Sequence, residues 1–286
     1  MTTSSRRGFW ALYLSVVLLS ANGLFAKLLP LTPLPVTAMR CAIAAIVLAG
    51  LIIWRKQLFI LQPRRDIAIA LGLGVLMGVH WITFFHSLQV STITIGVLAT
   101  FTYPVLTVFL EPLWRKEKIQ WQDIISGCVV FLGVWLLVPH FSWNSGATQG
   151  VIWGVFSGLC LAIRNIGVRH YLKSHPSQIT FFWQVLAVAV VFLPFVRMND
   201  VAMMSSMDWW KLLLLGAFFT AIGHGLLAES LRFFSAKTVG LVSCAQPVMA
   251  AVMAYFLLNE ALTWNIALGG ALILGAAVFE SLRVSR

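Results

Sequence analysis

Three groups of side chains in this chain have the types and spacing to hold a ligand. His80 and Trp81 are followed one turn later by Phe84, which sets a hydrogen-bonding ring beside two aromatic surfaces. Arg164 and Asn165 place a guanidinium next to an amide, a pair suited to a carboxylate. Gly96, Thr100, Tyr103, Thr107 and Glu111 follow one another at steps of four, three, four and four, so they share one face of a helix. The register-matched face in the second half of the chain is Val239, Ser243, Gln246, Ala250 and Ala254. These groups can recognise a molecule reversibly through charge, hydrogen bonding and stacking. They do not make an enzyme: HExxH and GxSxG are absent, no helix carries a His and carboxylate cluster, and there is no P-loop. The sequence calls for no cofactor and no metal.

The medium that must position these groups follows from composition. Hydrophobic residues make up 60% of the chain, charged residues only 10%, and the mean hydropathy is +0.91, far from a soluble domain. The net charge of +11 sits in short clusters between apolar runs rather than along one face, which is the pattern of membrane topology and not of a nucleic-acid partner. Cys41, Cys128, Cys160 and Cys244 all fall inside apolar runs without ligand spacing and are expected to pack.

A spanning helix needs roughly 20 mostly apolar residues. Ten such runs occur, over 8–28, 36–54, 67–88, 92–112, 122–139, 150–169, 179–197, 210–230, 238–257 and 264–282. The first follows Arg6 and Arg7 but is too long for a cleaved signal and carries Asn22 and Lys27, so it reads as a retained helix. With the N-terminus in the cytoplasm, 15 of the 20 basic residues fall on inner segments: Arg6, Arg7, Arg55, Lys56, Arg64, Arg65, Arg115, Lys116, Lys118, Arg169, Lys173, Arg232, Lys237, Arg283 and Arg286. The expected fold is therefore an all-α polytopic membrane protein with both termini cytoplasmic.

The chain also repeats itself. At an offset of 143 residues, half of 286, Pro104-Val105 recurs as Pro247-Val248, Glu117 as Glu260, Trp121 as Trp264 and Gly127 as Gly270. Asn22 falls on Asn165, Pro33 on Pro176, Thr37 on Thr180, Ser87-Leu88 on Ser230-Leu231 and Leu98 on Leu241. Two units of five spans each, 1–143 and 144–286, follow from this register. Five is odd, so the second unit enters the membrane from the opposite side and the repeats are inverted.

The doubled pattern of Pro-Val, an acidic residue 13 positions after the Pro, a Trp and a Gly-containing helix resembles the EamA-type drug/metabolite transporters. His80-Trp81 with Phe84-Phe85 in the third span is similar to that family as well. The resemblance covers nearly the whole chain. It implies a ten-helix basket with spans 1 to 4 and 6 to 9 around a central cavity and spans 5 and 10 outside, and it implies export of small metabolites, amino acids or toxic compounds. Gly223-His224 stands where the first repeat has His80-Trp81, so substrate contacts are expected to be asymmetric.

Each polar residue has two readings. Small and hydroxyl residues on the fourth and ninth spans line either a helix seam or a cavity wall; Tyr103 and Gln246 are bulky for a seam, and Pro104 and Pro247 break the helix ladder beside each wall. His80 and His224 lie deep in their spans and either serve a cavity or find a packing partner, whereas His86 and Glu229 sit near span ends. A charge at the centre of a spanning helix costs about 2.5 to 3.5 kcal/mol on insertion scales. Arg40, near the outer end of the second span, can reach the headgroups, and Arg164 is deeper and needs helix-end carbonyls or an anionic ligand; where both line the cavity, a carboxylate ligand is favoured over a dication. Asn22 and Asn165 are polar clamps or ligands. Glu117 and Glu260 are expected to cap the helices that follow them, the fifth and the tenth. Gly74 with Gly78, and Gly150, Gly154 and Gly158, read as close helix contacts, and Trp54, Trp114, Trp121, Trp143, Trp209, Trp210 and Trp264 as an aromatic belt.

The functional expectation is a secondary transporter of the bacterial inner (plasma) membrane. It exports a small metabolite by alternating access, aromatic or amphipathic amino acids leading, with His80, Trp81, Phe84, Thr100, Tyr103, Asn22, Arg164, Asn165, His224, Ser243 and Gln246 as substrate-binding residues. The alternatives are a multidrug or toxic-cation exporter and a channel-like facilitator. The partners expected are the substrate, the bilayer and, for coupling, protons, in a monomer or weak dimer.

Overall fold

The computed structural model describes residues 3–138, 140–230, 233–234 and 236–283. Leu231, Arg232 and Arg286, used above for register and charge, lie outside the described residues, as do the side chains of Arg6, Arg7, Arg115 and Lys237. Regular structure among the described residues is helical throughout. Among the described residues nine helices are long and apolar enough to cross a membrane: Gly8–Leu28, Pro33–Trp54, Arg65–Val90, Ile93–Trp114, Gly146–Tyr171, Ser177–Phe195, Ser206–Ser230, Thr238–Leu258 and Trp264–Arg283. A tenth, Trp121–Leu137, is apolar and 17 residues long. These are the ten expected spans, with ends moved by a few residues.

Local chemistry explains the ends. Thr92 and Ser145 accept from the third amide of the fourth and sixth spans, Ile95 and Thr148, each at 3.1 Å. Gln120 with Asp123, and Ser205 with Asp208, form reciprocal capping boxes on the fifth and eighth. The fourth and ninth spans stop at residues in the left-handed region, Lys116 at φ 57° and Asn259 at φ 53°, which are themselves one repeat apart. The duplication is thus written in backbone conformation as well as in sequence.

The bundle has two ends, named here for the glutamate at each. At the Glu260 end Lys27 donates to the carbonyls of Gln89 (3.0 Å) and Ser91 (2.9 Å), and Lys211 to that of Leu28 (3.1 Å). At the Glu117 end Asp66 meets His175 at 2.7 Å, Arg169 meets Glu111 at 3.3 Å, and Trp183 donates to the Phe59 carbonyl at 2.7 Å. The sixth span starts with Gly146 against the Val90 carbonyl, at the Glu260 end, whereas the first span arrives at that end through Lys27. Corresponding spans of the two repeats therefore run in opposite senses.

The largest apolar cluster lies toward the Glu260 end and joins Phe25, Leu31, Leu88, Ile93, Leu137 and Ile266. A second ties the second, third and seventh spans together through Leu48, Met77, Trp81, Phe182 and Val188. The glycine pairs work as seams. A Cβ at Gly74 would come within 2.6 Å of the Gln184 carbonyl, and one at Gly158 within 2.7 Å of the Thr100 carbonyl, so the third and seventh and the fourth and sixth spans touch backbone to backbone. The fifth and tenth spans pack on each other at Gly133 and Gly269 and carry exposed Phe131, Trp135, Leu268 and Phe279 on their outer faces. The seven belt tryptophans are all exposed. Cys41 and Cys160 are buried as expected, but Cys128 is exposed on the fifth span.

Candidate substrate-binding site

The site grows around Trp81. This side chain is buried in the third span and touches three elements: its ring lies 5.9 Å from His224 of the eighth span, 6.4 Å from Phe181 of the seventh, and under the Arg40 guanidinium of the second at 4.4 Å. Arg40 also lies over the Phe85 ring at 4.7 Å, so two aromatic faces hold it. Its Nη1 donates to Asn22 Oδ1 at 2.9 Å. Asn22 opens a 3₁₀ turn, Asn22–Leu24, that interrupts the first span.

On the other side of the cluster Arg164 donates from Nε to Gln184 Oε1 at 2.8 Å and from Nη1 to Asn165 Oδ1 at 3.0 Å. Asn22 and Asn165 are one repeat apart, and each accepts from an arginine. Among the described residues neither arginine meets a carboxylate.

His80 is fixed from the sixth span. Its Nδ1 lies 3.0 Å from the Ser157 carbonyl and 2.8 Å from Ser157 Oγ, while Ser157 Oγ lies 2.8 Å from the His80 carbonyl. A carbonyl only accepts, so this network assigns the proton of the neutral ring to Nδ1 and leaves Nε2 as an acceptor. Phe84 stacks on the imidazole at 6.1 Å and 17°. His224 lies on Phe181 with centroids 4.8 Å apart. Just before it the eighth span widens into a π segment, Leu215–Ile222, where Gly216 abuts the Arg40 carbonyl and Thr220 donates to the Leu215 carbonyl at 2.8 Å.

Of the residues expected from sequence, Asn22, His80, Trp81, Phe84, Arg164, Asn165 and His224 come together here. Tyr103, Ser243 and Gln246 lie instead at matching helix breaks, where the fourth span breaks at Phe101 and Thr102 and the ninth at Cys244; Tyr103 lies edge-on to Phe101 at 5.6 Å. Each break precedes its proline, Pro104 or Pro247, whose missing N–H loosens the turn before it.

Four expectations are corrected. Arg40 does not reach toward headgroups: it is fully buried, because Asn22 and two rings hold it inside the bundle. Thr100 and Gly96 lie in a seam, with Gly96 against Leu88 and Ser87 and the Thr100 hydroxyl donating to the Gly96 carbonyl at 2.9 Å. Glu260 does not cap the tenth span. Its Oε1 accepts from the Ile93 amide at 2.8 Å and its Oε2 from the Thr94 amide at 3.3 Å, at the start of the fourth span, while Thr263 Oγ1 lies 3.4 Å from the Ile266 amide of the tenth. The fifth span is capped by Gln120 and Asp123 instead of Glu117, whose backbone amide closes the fourth span on the Pro112 carbonyl at 2.8 Å.

Arg40, Gln184, Phe85 and Phe181 were missed as site residues. Arg40 was recognisable by its cost in a spanning helix, but its distance from the span end suggested the wrong remedy. Gln184 carries a signal of the same kind, an amide in the middle of an apolar run; Phe85 is marked only by its place in the His80-Trp81, Phe84-Phe85 pattern, and Phe181 by nothing.

The comparisons with known proteins agree with this architecture. Relatives include the uncharacterized transporter YxxF of Bacillus subtilis, 25% identical over 84% of this chain and 78% of that protein. The S-adenosylmethionine uptake transporter of Rickettsia prowazekii is 24% identical over 93% of this chain and 89% of its own length. A solved crystal structure shares the fold over 100% of this chain and 97% of that one, with a TM-score of 0.63 at 16% identity. The model of the EamA-like transporter family matches residues 6–138 and again residues 148–282. The chain, two copies of that unit in opposite senses within one multi-pass bacterial membrane protein, belongs to the EamA-like transporter family.

Proposed function

We propose that this transporter exports small metabolites, aromatic or amphipathic amino acids foremost, by alternating access, with the termini in the cytoplasm. The observation that carries the reading is the surrounding of Trp81: the Arg40 guanidinium over its ring, His80 with an acceptor nitrogen beside it and the rings of Phe181 and His224, with Arg164, Asn165 and Gln184 bonded to one another on the sixth and seventh spans. A carboxylate suits the buried guanidinium groups, Arg40 or Arg164 with Asn165, an ammonium suits His80 Nε2, and a planar side chain suits Phe84 and Phe181. Tyr103, Ser243 and Gln246, at the paired helix breaks, serve as the hinge wall past which the substrate moves. Titration of His80 or His224 would couple the cycle to protons.

Reconstitution into liposomes tests this. Labelled phenylalanine should exchange against unlabelled phenylalanine in saturable counterflow, which a channel-like facilitator would not give. His80→Ala and Arg164→Ala should slow it while folded protein is recovered in normal yield; wild-type rates in both would remove the cluster from the transport path.

The relatives named for S-adenosylmethionine uptake support a second reading, inward movement of an amino-acid-derived molecule through the same site. Its α-amino carboxylate would use the groups just described. Counterflow of labelled S-adenosylmethionine, with no response to phenylalanine, would favour it over export.

A further inference from the structure

The guanidinium of Arg40 is satisfied on every side but one. Trp81 and Phe85 cover its two faces at 4.4 and 4.7 Å, and Asn22 takes Nη1. The atoms left without a hydrogen bond are Nε and Nη2, both fully buried. These two are not arbitrary. Their N–H bonds run parallel along one edge of the planar group, and that edge is the fork that takes both oxygens of a carboxylate at once. Thr37, one turn earlier on the same span, is also fully buried with an unpartnered hydroxyl, and Gln184 Nε2, across the cluster, is a third buried donor without an acceptor. Buried donors are nearly always paired in folded proteins, and leaving them bare is costly.

We propose that the Nε/Nη2 edge of Arg40 is the carboxylate anchor of the transported molecule, with Arg164 and Gln184 as a separate group that positions the rest of it. The inference rests on the transport reading of this cluster and assigns the substrate's carboxylate to one guanidinium edge of it. Cation contacts with two rings fix the plane of the guanidinium, and Asn22 fixes its rotation within that plane. The fork is therefore preorganised, and an acid meets it with little loss of side-chain freedom. Arg40 is enclosed in this structure, so its edge opens to a ligand only when the repeats part. An acid bound there closes the gap as the bundle closes. Neutral or purely cationic molecules leave the edge bare, which sets them apart from carboxylates in every turn of the cycle.

The test compares 3-phenylpropionate with 3-phenylpropionamide, phenethylamine and phenyl phosphate on purified protein in nanodiscs, by thermal stability against ligand concentration, since a ligand bound only by the folded state raises it. The acid is expected to stabilise the wild type, and the amide and the amine are not. Arg40→Lys keeps the charge and loses the fork, and should weaken the acid by roughly tenfold or more. Asn22→Asp supplies an internal carboxylate to the same guanidinium and should weaken the acid as well; it decides the matter if Arg40→Lys does not fold. Equal stabilisation by the amide or amine, wild-type affinity for the acid in folded Arg40→Lys or Asn22→Asp, stabilisation by phenyl phosphate alone, or no stabilisation by any of the four would each overturn the assignment. Selective acid binding without phenylalanine counterflow would sink only the amino-acid reading, and counterflow without acid selectivity only the anchor.

Discussion

Glu260 Oε1 accepts a hydrogen bond from the Ile93 amide at 2.8 Å, joining a loop of the second repeat to the first turn of the fourth span in the first. The carboxylate meets free amides and the positive end of a helix dipole, but not on its neighbouring helix: Thr94, its other amide partner, lies 166 residues from it in sequence. It therefore ties the repeats at one end of the bundle. Glu260→Ala should lower stability by about 1 kcal/mol, the usual loss for a helix cap. Glu260→Gln keeps an acceptor oxygen and should recover part of it. Melting in detergent at matched lipid content measures the difference; equal melting of the alanine variant and wild type would show that the bond contributes nothing.

Glu117 and Glu260 stand at opposite ends of the bundle although they occupy the same place in their repeats. The Glu117 end carries the excess of basic residues, and by the positive-inside rule that end is expected to face the cytoplasm. Single cysteines at these two positions, in a background lacking the four native ones, should react with a membrane-impermeant maleimide from opposite sides. In intact cells only position 260 should label, and position 117 after permeabilisation. Labelling of 117 in intact cells would reverse the orientation.

Helix number, span limits and the duplication were legible because each rests on a property of single residues or short windows. Hydropathy finds a span without knowing its neighbours, and prolines, tryptophans and asparagines mark a register in an apolar chain. The site was legible in part for the same reason: a histidine, an arginine or an asparagine inside a span needs a partner wherever it lies. What could not be read was who the partner is. Glu260 was assigned to the next helix because sequence distance is the only distance a sequence offers, and Arg40 was sent to the headgroups because nothing local revealed Asn22, 18 residues upstream, or the rings of Trp81 and Phe85. Thr100 kept the right helix face, but the glycines of the sixth span decide what that face touches.

Gly74 and Gly72 are two residues apart on the third span and should respond oppositely to alanine. A Cβ at Gly74 meets the backbone of Gln184, with the carbonyl at 2.6 Å and Cα at 2.7 Å, and no flexible atom can yield. The seventh span must move, and with it the amide that holds Arg164. Gly74→Ala should cost about 1 to 3 kcal/mol and impair transport. A Cβ at Gly72 meets nothing within 4 Å, so Gly72→Ala should be neutral or gain up to about 1 kcal/mol from helix propensity. A parallel loss in both variants would mean that the seam is not what limits the third span.

The fifth and tenth spans carry a further cluster of buried charges. Asp123 pairs with Arg283 and caps its own helix at the Gln120 amide (2.7 Å), while Glu280 accepts from Ser126 and lies 3.0 Å from Arg283. One guanidinium thus serves two carboxylates that are almost fully buried. Replacing Arg283 by Leu would leave both without their counter-charge, and breaking a buried pair from one side typically costs about 3 to 5 kcal/mol. Arg283→Leu should therefore reduce the yield of folded protein and lower its melting temperature. Removing the second charge should restore much of the loss: in Arg283→Leu with Glu280→Met the remaining Asp123 still has its helix amide, and the apolar pair fills the seam between two helices that already meet at Gly133 and Gly269. A double variant no better than Arg283→Leu alone would mean that Glu280 is needed for its hydrogen bond to Ser126 rather than tolerated because of Arg283.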